Sequence, residues 1–289
     1  MSKILTVDDV LKNFGLDFEI KKIPLTAIDY DGTNYITPYF GLLNSSTNEV
    51  INTCKVNYHI SQNRDIVEMV LNGMKKFGEK LSVSNAGSIN GGRRVFIQLK
   101  IEGLAKAGGD TIEQYVTIID SNDGSTSLSV GIGDEFMHCE NQFFKFYAAG
   151  ESKFRHTATI EQKIAELPKL IEIGLGKTIE QVKIYNKFAS TPLTQRLAEK
   201  AIKEVLELDS LENIKGRSLT NYIKLDESIK REVGDMGRNL LALFNGVTRF
   251  TTHEHAIPKR VNGKSETLIN GTAYKKAIIA HDFCLEQVV

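Results

Sequence analysis

The hydrophobic pattern of this 289-residue chain changes its dominant period near residue 157. Before that point most segments are rich in aromatic and β-branched residues and are punctuated by glycine and aspartate turns. Beyond it, apolar residues recur at steps of three and four. The first pattern fits half-buried strands and the second fits helices with one buried face. Strands gathered before helices predict an α+β fold, because a doubly wound sheet needs the two to alternate.

Local signals fill in that outline. Thr6 reads as the N-cap of a short helix over 7–14, with Asp8 and Asp9 in its first turn and Gly15 just past its end. Segments 18–23, 35–42 and 50–60 read as a β-meander, separated by Asp31-Gly32 and by the turn at 44–48. Ile66, Val70, Met74, Phe77 and Leu81 mark one face of a helix over 65–81. Further strands are expected at 95–101, 113–120 and 127–132, the last two joined by the hairpin signal Asp123-Gly124. Thr159 and Thr178 each begin a capping-box pattern, and Thr191-Pro192 reads as a third helix start before 209. Tyr222 through Phe244 extend the helical period, interrupted at Gly234 and Gly237, and a last helix is expected over 272–287. The expected organisation is an N-terminal β-meander (1–60), a central α+β core (61–210) and a basic helical C-terminal region (211–289).

Charge decides which partners the whole molecule can attract. Thirty-six Lys and Arg balance 36 Asp and Glu, so the chain as a whole is not built to adhere to nucleic acid or to an anionic membrane. Local bias remains: residues 215–264 hold ten basic against five acidic side chains, whereas residues 85–156 hold seven against nine. The start of the sequence lacks a signal-peptide core, and no apolar run has the length of a membrane span, so a cytoplasmic location is expected. Cys54, Cys139 and Cys284 are odd in number and far apart, which fits buried thiols and not a disulfide framework or a metal knuckle.

Phosphate-binding chemistry is best placed at residues 84–101. There a glycine turn, with Gly87, Gly91 and Gly92 available for close backbone approach, runs through Arg93 and Arg94 into an alternating strand. Lys100, Arg155, His156, Lys259 and Arg260 are further candidate phosphate contacts. Phe143, Phe144 and Phe146 could stack on bases, but an apolar block of this kind reads first as core. Gly174-Leu-Gly-Lys-Thr178 imitates the end of a Walker A loop, but Ile171 stands where the motif needs glycine and the context is helical. Gly131-Ile-Gly-Asp-Glu-Phe136 is similar to the cyclase hairpin of diguanylate cyclases but interrupts its paired glycines. Asp29, Asp31 and Gly32 lack the terminal glutamate of a calcium loop. His253 and His255 would suit a metal only on a strand with a third ligand from elsewhere. No catalytic residue, metal site or cofactor is therefore assigned. An enzyme using His156, or His253 and His255, stays open as a rival.

Several strings together carry a resemblance: 86–95, 121–125, Cys139-Glu-Asn141, Arg155-His-Thr157, Phe244-Asn-Gly-Val-Thr-Arg-Phe250 and Asn270-Gly-Thr-Ala-Tyr274. They resemble a phage- and plasmid-associated protein family catalogued as a domain of unknown function, over about residues 50–285. Glu140 departs from the Gln-Asn usual after that cysteine. The resemblance implies mobile-element biology and supplies no catalytic residues. At the level of fold analogy, the order of helix, glycine turn, strand, hairpin and capped helix is also similar to the core of phage single-strand annealing proteins such as Red-beta, RecT and Erf. That implies non-specific binding of single-stranded DNA by a homo-oligomer, in DNA recombination within the host cell cytoplasm, without membrane attachment. The alternative it leaves is a protein-interaction module, engaging other phage or host proteins, that antagonises host defence.

Overall fold

The computed structural model describes residues 5–124, 128–137, 140–147, 160–259 and 262–288. Helix α1 (Val7–Asn13) leads into a three-stranded antiparallel meander of β1 (Ile20–Ile28), β2 (Asn34–Asn44) and β3 (Glu49–Lys55). After α2 (Asn63–Met74) come β4 (Leu81–Ile89), β5 (Arg94–Ile101), β6 (Ala105–Ala107), β7 (Asp110–Ser121), β8 (Ser129–Phe136) and β9 (Asn141–Tyr147). They form a second sheet in the order β4-β5-β7-β8-β9, with β6 paired to β7. Helices α3 (Ile160–Ser190), α4 (Gln195–Val205), α5 (Gly216–Met236), α6 (Leu240–Arg249), α7 (Gly263–Asn270) and α8 (Thr272–Glu286) follow. Antiparallel sheets in the N-terminal half and helices in the C-terminal half make the fold α+β. The chain divides into two compact units: Met1–Glu102 with Val116–Gly131 and Phe146–Gly174, and Gly103–Tyr115 with Ile132–Lys145 and Leu175–Val289.

In the first unit, side-chain amides fasten the meander to α2. Gln62 both accepts from the Ile20 N–H at 3.1 Å and donates to the Ile20 carbonyl at 3.0 Å. Asn63 donates to the carbonyls of Leu16 and Phe18. Thr6 caps α1 through a reciprocal pair with Asp9, as the sequence predicts. Glycines let α3 come close: a Cβ at Gly73 would crowd Leu167 and Ile171, and one at Gly174 would press on Val116 and Val130. The Walker-like string therefore lies within α3, where Gly174 serves packing. The helix expected to reach Leu81 ends at Met74. A 3₁₀ stretch, Lys75–Lys80, follows and is broken by Gly78 at φ 59°, after which Leu81 opens β4.

The second unit is organised around aromatic rings. Phe136, Phe143, Tyr185, Phe188 and Phe244 are all fully buried, and successive rings pack with centroids 5.0–6.3 Å apart. Each such burial contributes roughly 1.5–3 kcal/mol. Phe143 and Phe144 thus belong to the core, and their block forms β9. Two helix starts read from sequence are not helix starts. The Thr178 hydroxyl donates back to the Leu175 carbonyl within an unbroken α3, a choice threonine makes in a helix interior. Helix α4 is capped by Thr194, whose hydroxyl accepts from the Leu197 N–H, while Pro192 bridges to Asn239. The expected break at Gly237 is present, at φ 86°. Beyond it, Gly246 lets α6 lie directly on α5, since a Cβ there would meet the Ile229 backbone.

Candidate nucleic-acid interface

Strands β4 and β5 pair antiparallel from Leu81 opposite Ile101 to Ile89 opposite Arg94, leaving Asn90, Gly91, Gly92 and Arg93 as the turn. Asn90, Gly91 and Gly92 all take positive φ, at 55°, 67° and 86°. The turn is held from outside: the Asn122 carboxamide donates to the Gly92 carbonyl at 2.8 Å, and the Asn122 N–H donates to the Arg93 carbonyl at 2.7 Å. A Cβ on Gly92 would run into the Asn44 amide and the Phe18 ring. The segment is therefore a clamped turn and not a flexible one. Gly87 lies outside it, buried in β4 opposite Phe96, so its glycine character serves the sheet. Gly91 is exposed with open space around it.

The clamp leaves Arg93 exposed and Arg94 half-buried at the start of β5. Lys100, half-buried, stands on the same face of β5 as Arg94 but six residues on, about 20 Å away at the rise of an antiparallel strand. Phe96 and Gln98 are buried between them. Arg155, His156 and Arg260 lie outside the described residues. Lys259 is exposed and belongs to the second unit. Within the first unit, Arg93 and Arg94 stand at the end of the clamped turn, and Lys100 lies apart from them along β5.

Several cations of the basic C-terminal region are engaged within the second unit. Lys230 pairs with Asp226 at 2.6 Å, Lys224 lies 3.9 Å from Glu254, and Arg249 lies 3.8 Å from buried Glu232. Arg238 donates to the Leu193 carbonyl and to Gln195. Lys215, Arg217, Arg231, Lys259 and Lys264 are exposed. His253 belongs to a π-helical turn, Phe250–Glu254, that ends just before His255, so the pair lacks the strand geometry a metal would need. His255 faces Thr272 at 2.7 Å, and burial, then Lys276 and Arg217, hold its pKa below the usual histidine value. Among the described residues, no group of three His, Cys, Asp or Glu side chains is placed to hold a metal.

Three buried polar clusters in the second unit escaped the sequence reading. Asp134 accepts from Gln114 at 3.1 Å and from Tyr185 at 2.8 Å, and burial pushes its carboxyl up to about 6 against those two donors. Asn141 donates to Glu232 at 3.3 Å and to the Asn245 carbonyl at 3.2 Å, and burial raises the Glu232 pKa. His281 stacks on Phe143 with its ring ends at Lys145 and Gln181, and burial depresses its pKa. A signal did exist for two of them. Glu232 and His281 sit on the apolar stripes of their helices, beside Leu225 and Ile229 and beside Ala277 and Cys284.

Residues 50–275 match the family described as Domain of unknown function (DUF932). The chain belongs to that family. No curated protein and no solved structure matches the chain. Within the DUF932 region, the strings that carry the resemblance close on one another in pairs. Residues 121–124 clamp the 86–95 turn through Asn122, and Asn141 of β9 docks on Asn245 of the Phe244–Phe250 string. Gly271 of the last string joins α7 to α8 where a Cβ would strike the Thr267 backbone. Cys139 and Arg155-His-Thr157 lie outside the described residues. Meander strands β1 and β2 precede the DUF932 match. Among the described residues, no helix is long and apolar enough to cross a membrane.

Proposed function

We propose that this protein binds single-stranded DNA without sequence preference and promotes annealing and recombination of single strands as an oligomer, in the biology of a phage or plasmid. The observation that carries this reading is the clamped turn presenting Arg93. A guanidinium offers a planar set of donors to phosphate, and a turn already fixed by Asn122 loses little freedom when a phosphate arrives. Arg94 follows it directly into β5, and the exposed cations Lys215, Arg217, Arg231, Lys259 and Lys264 supply an auxiliary surface.

Neutral net charge suits such a role, because an oligomer adds one modest basic patch per subunit along a strand. Strand alignment by concentration and orientation breaks no bond and requires neither metal nor nucleotide. The analogy with phage annealing proteins adds a functional class to the family membership.

A fluorescence-quenching assay with two complementary oligonucleotides tests the proposal. The wild type accelerates pairing, and the Arg93→Glu variant loses that acceleration while keeping its melting temperature. Absence of any acceleration by folded wild type excludes annealing. Co-purification of a host protein that survives nuclease treatment would then favour the protein-interaction alternative.

A further inference from the structure

We propose that Glu232 and Asn141 form a proton-operated latch between α5 and β9: a proton on Glu232 Oε2, donated to Asn141 Oδ1, closes the latch, and its loss opens it. Half of the pair is already made, since Asn141 Nδ2 donates to Glu232 Oε1 at 3.3 Å. The same nitrogen also donates to the Asn245 carbonyl of α6 at 3.2 Å, so the amide has no further hydrogen to give. The remaining oxygen of each group, Asn141 Oδ1 and Glu232 Oε2, is buried and has no hydrogen-bond partner among the described residues. Two acceptors cannot bond to one another, and a buried acceptor left unsatisfied costs free energy. A carboxylic acid and a carboxamide complement each other instead: the amide donates to one carboxyl oxygen, and the other, protonated, donates to the amide oxygen. A proton completes the pair and needs no cavity.

The surroundings of Glu232 decide when it takes that proton. Burial favours the uncharged form and outweighs the Asn141 donation and Arg249, so its pKa is raised above 4.5. Helix α6 supplies Arg249, whose Nη1 stands 3.8 Å from Oε1, and α5 itself adds Asp235, which raises the pKa, and Arg231, which lowers it. On β9, Lys145 is taken up by Asp282. On α4 and the π-helical turn, which also pack on α5, Lys200 pairs with Glu204, Glu254 lies beside Lys224, and His253 is exposed. Because the folded value lies above the ordinary one, the stability from the closed latch is fully present below about pH 4.5 and is lost as pH rises through the folded value. Once ionised, the carboxylate keeps the single bond from Asn141 and is balanced by Arg249.

The latch lies inside the matched family region and ties two of its strings, Cys139-Glu-Asn141 and Phe244–Phe250, to α5, so pH sets how firmly β9 is held there. It does not depend on DNA binding. Hydrogen–deuterium exchange of the β9 amides in the full chain, corrected for the intrinsic effect of pH, tests it. Glu232→Gln is the reference, because a glutamine can donate to Asn141 Oδ1 at every pH while Asp134 titrates as in wild type. The two proteins are expected to exchange alike at about pH 4, and wild type about fivefold faster than the variant at about pH 8, the size of one net hydrogen bond. Arg249→Gln removes the counter-charge of the ionised form and moves the transition to higher pH. A ratio of wild-type to Glu232→Gln exchange that stays constant with pH overturns the proposal. So does an Arg249→Gln transition at or below the wild-type pH.

Discussion

Asn122 holds Gly92 by a 2.8 Å hydrogen bond from its carboxamide to the Gly92 carbonyl, while its own N–H takes the Arg93 carbonyl. The same carboxamide donates to Asn63, whose amide in turn holds the backbone at Leu16 and Phe18. A cation-bearing turn is thus tied through two buried asparagines to the first segment of the chain.

Asn122→Ala removes that tie. It takes a donor from the Gly92 carbonyl and from Asn63 in a buried setting, which costs about 1–3 kcal/mol for each acceptor left unsatisfied. Urea denaturation is expected to show a loss of at least about 2 kcal/mol, accompanied by weaker oligonucleotide binding. A stability equal to wild type would show that the turn is held by something else.

The two turn glycines are expected to differ. Both have positive φ, but a Cβ at Gly91 meets open space and one at Gly92 meets Asn44 and Phe18. Gly91→Ala is expected to cost about 1–2 kcal/mol of left-handed strain. Gly92→Ala adds overpacking of about 1–3 kcal/mol. Equal melting temperatures for the two variants would contradict the packing of the turn against the meander.

Asp134 sets a pH dependence. Its folded pKa, about 6, lies above the ordinary 3.8, so the protonated form is favoured in the folded state. The stability this gives is fully present below about pH 4 and is lost as pH rises through about 6. Asp134→Asn removes the titration. Relative to that variant, the wild type is expected to lose stability between pH 4 and 7, by an amount on the order of 2–3 kcal/mol. Parallel melting-temperature profiles for the two proteins would rule this out.

At Glu232, charge and shape separate. Asn141 Oδ1, Asn245 Oδ1 and Glu232 Oε2 are buried acceptors without a hydrogen-bond partner among the described residues. Glu232→Gln exchanges a buried charge for an amide that can donate. It is expected to stay within about 1 kcal/mol of wild type despite losing the Arg249 pair. Glu232→Ala leaves Arg249 and Asn141 without that acceptor and is expected to cost about 3–5 kcal/mol. A glutamine variant as unstable as the alanine variant would mean that the ion pair itself holds α5 to α6.

Periodicity and turn chemistry made the broad plan legible. The capping box at Thr6 and the stop at Gly237 are local events, and local sequence specifies them. Where the reading failed, tertiary context overrode a local signal. Thr178 resembles an N-cap, but its neighbours on α3 pack against the sheet and keep the helix continuous. Strand β4 was hidden because its Ser84–Ile89 portion looks like a glycine-rich turn until β5 is laid beside it. The candidate site was legible as far as Arg93 and Arg94. Its clamp was not, because Asn122 is 30 residues from Gly92 and only the β5-β7 pairing brings them together. Glu232 and His281 interrupt the apolar stripes of their helices, and in both places the interruption marks a buried polar cluster.

Fluorescence anisotropy of a labelled single-stranded oligonucleotide, titrated with wild-type and Arg93→Glu protein at rising salt, decides whether the clamped turn binds phosphate. Wild-type binding is expected to weaken as salt rises, because phosphate contacts release counterions. The variant, equally stable, is expected to bind about fivefold more weakly and with a shallower salt slope. Equal affinity and slope for the two proteins, or no wild-type binding at low salt, would contradict phosphate binding at the turn.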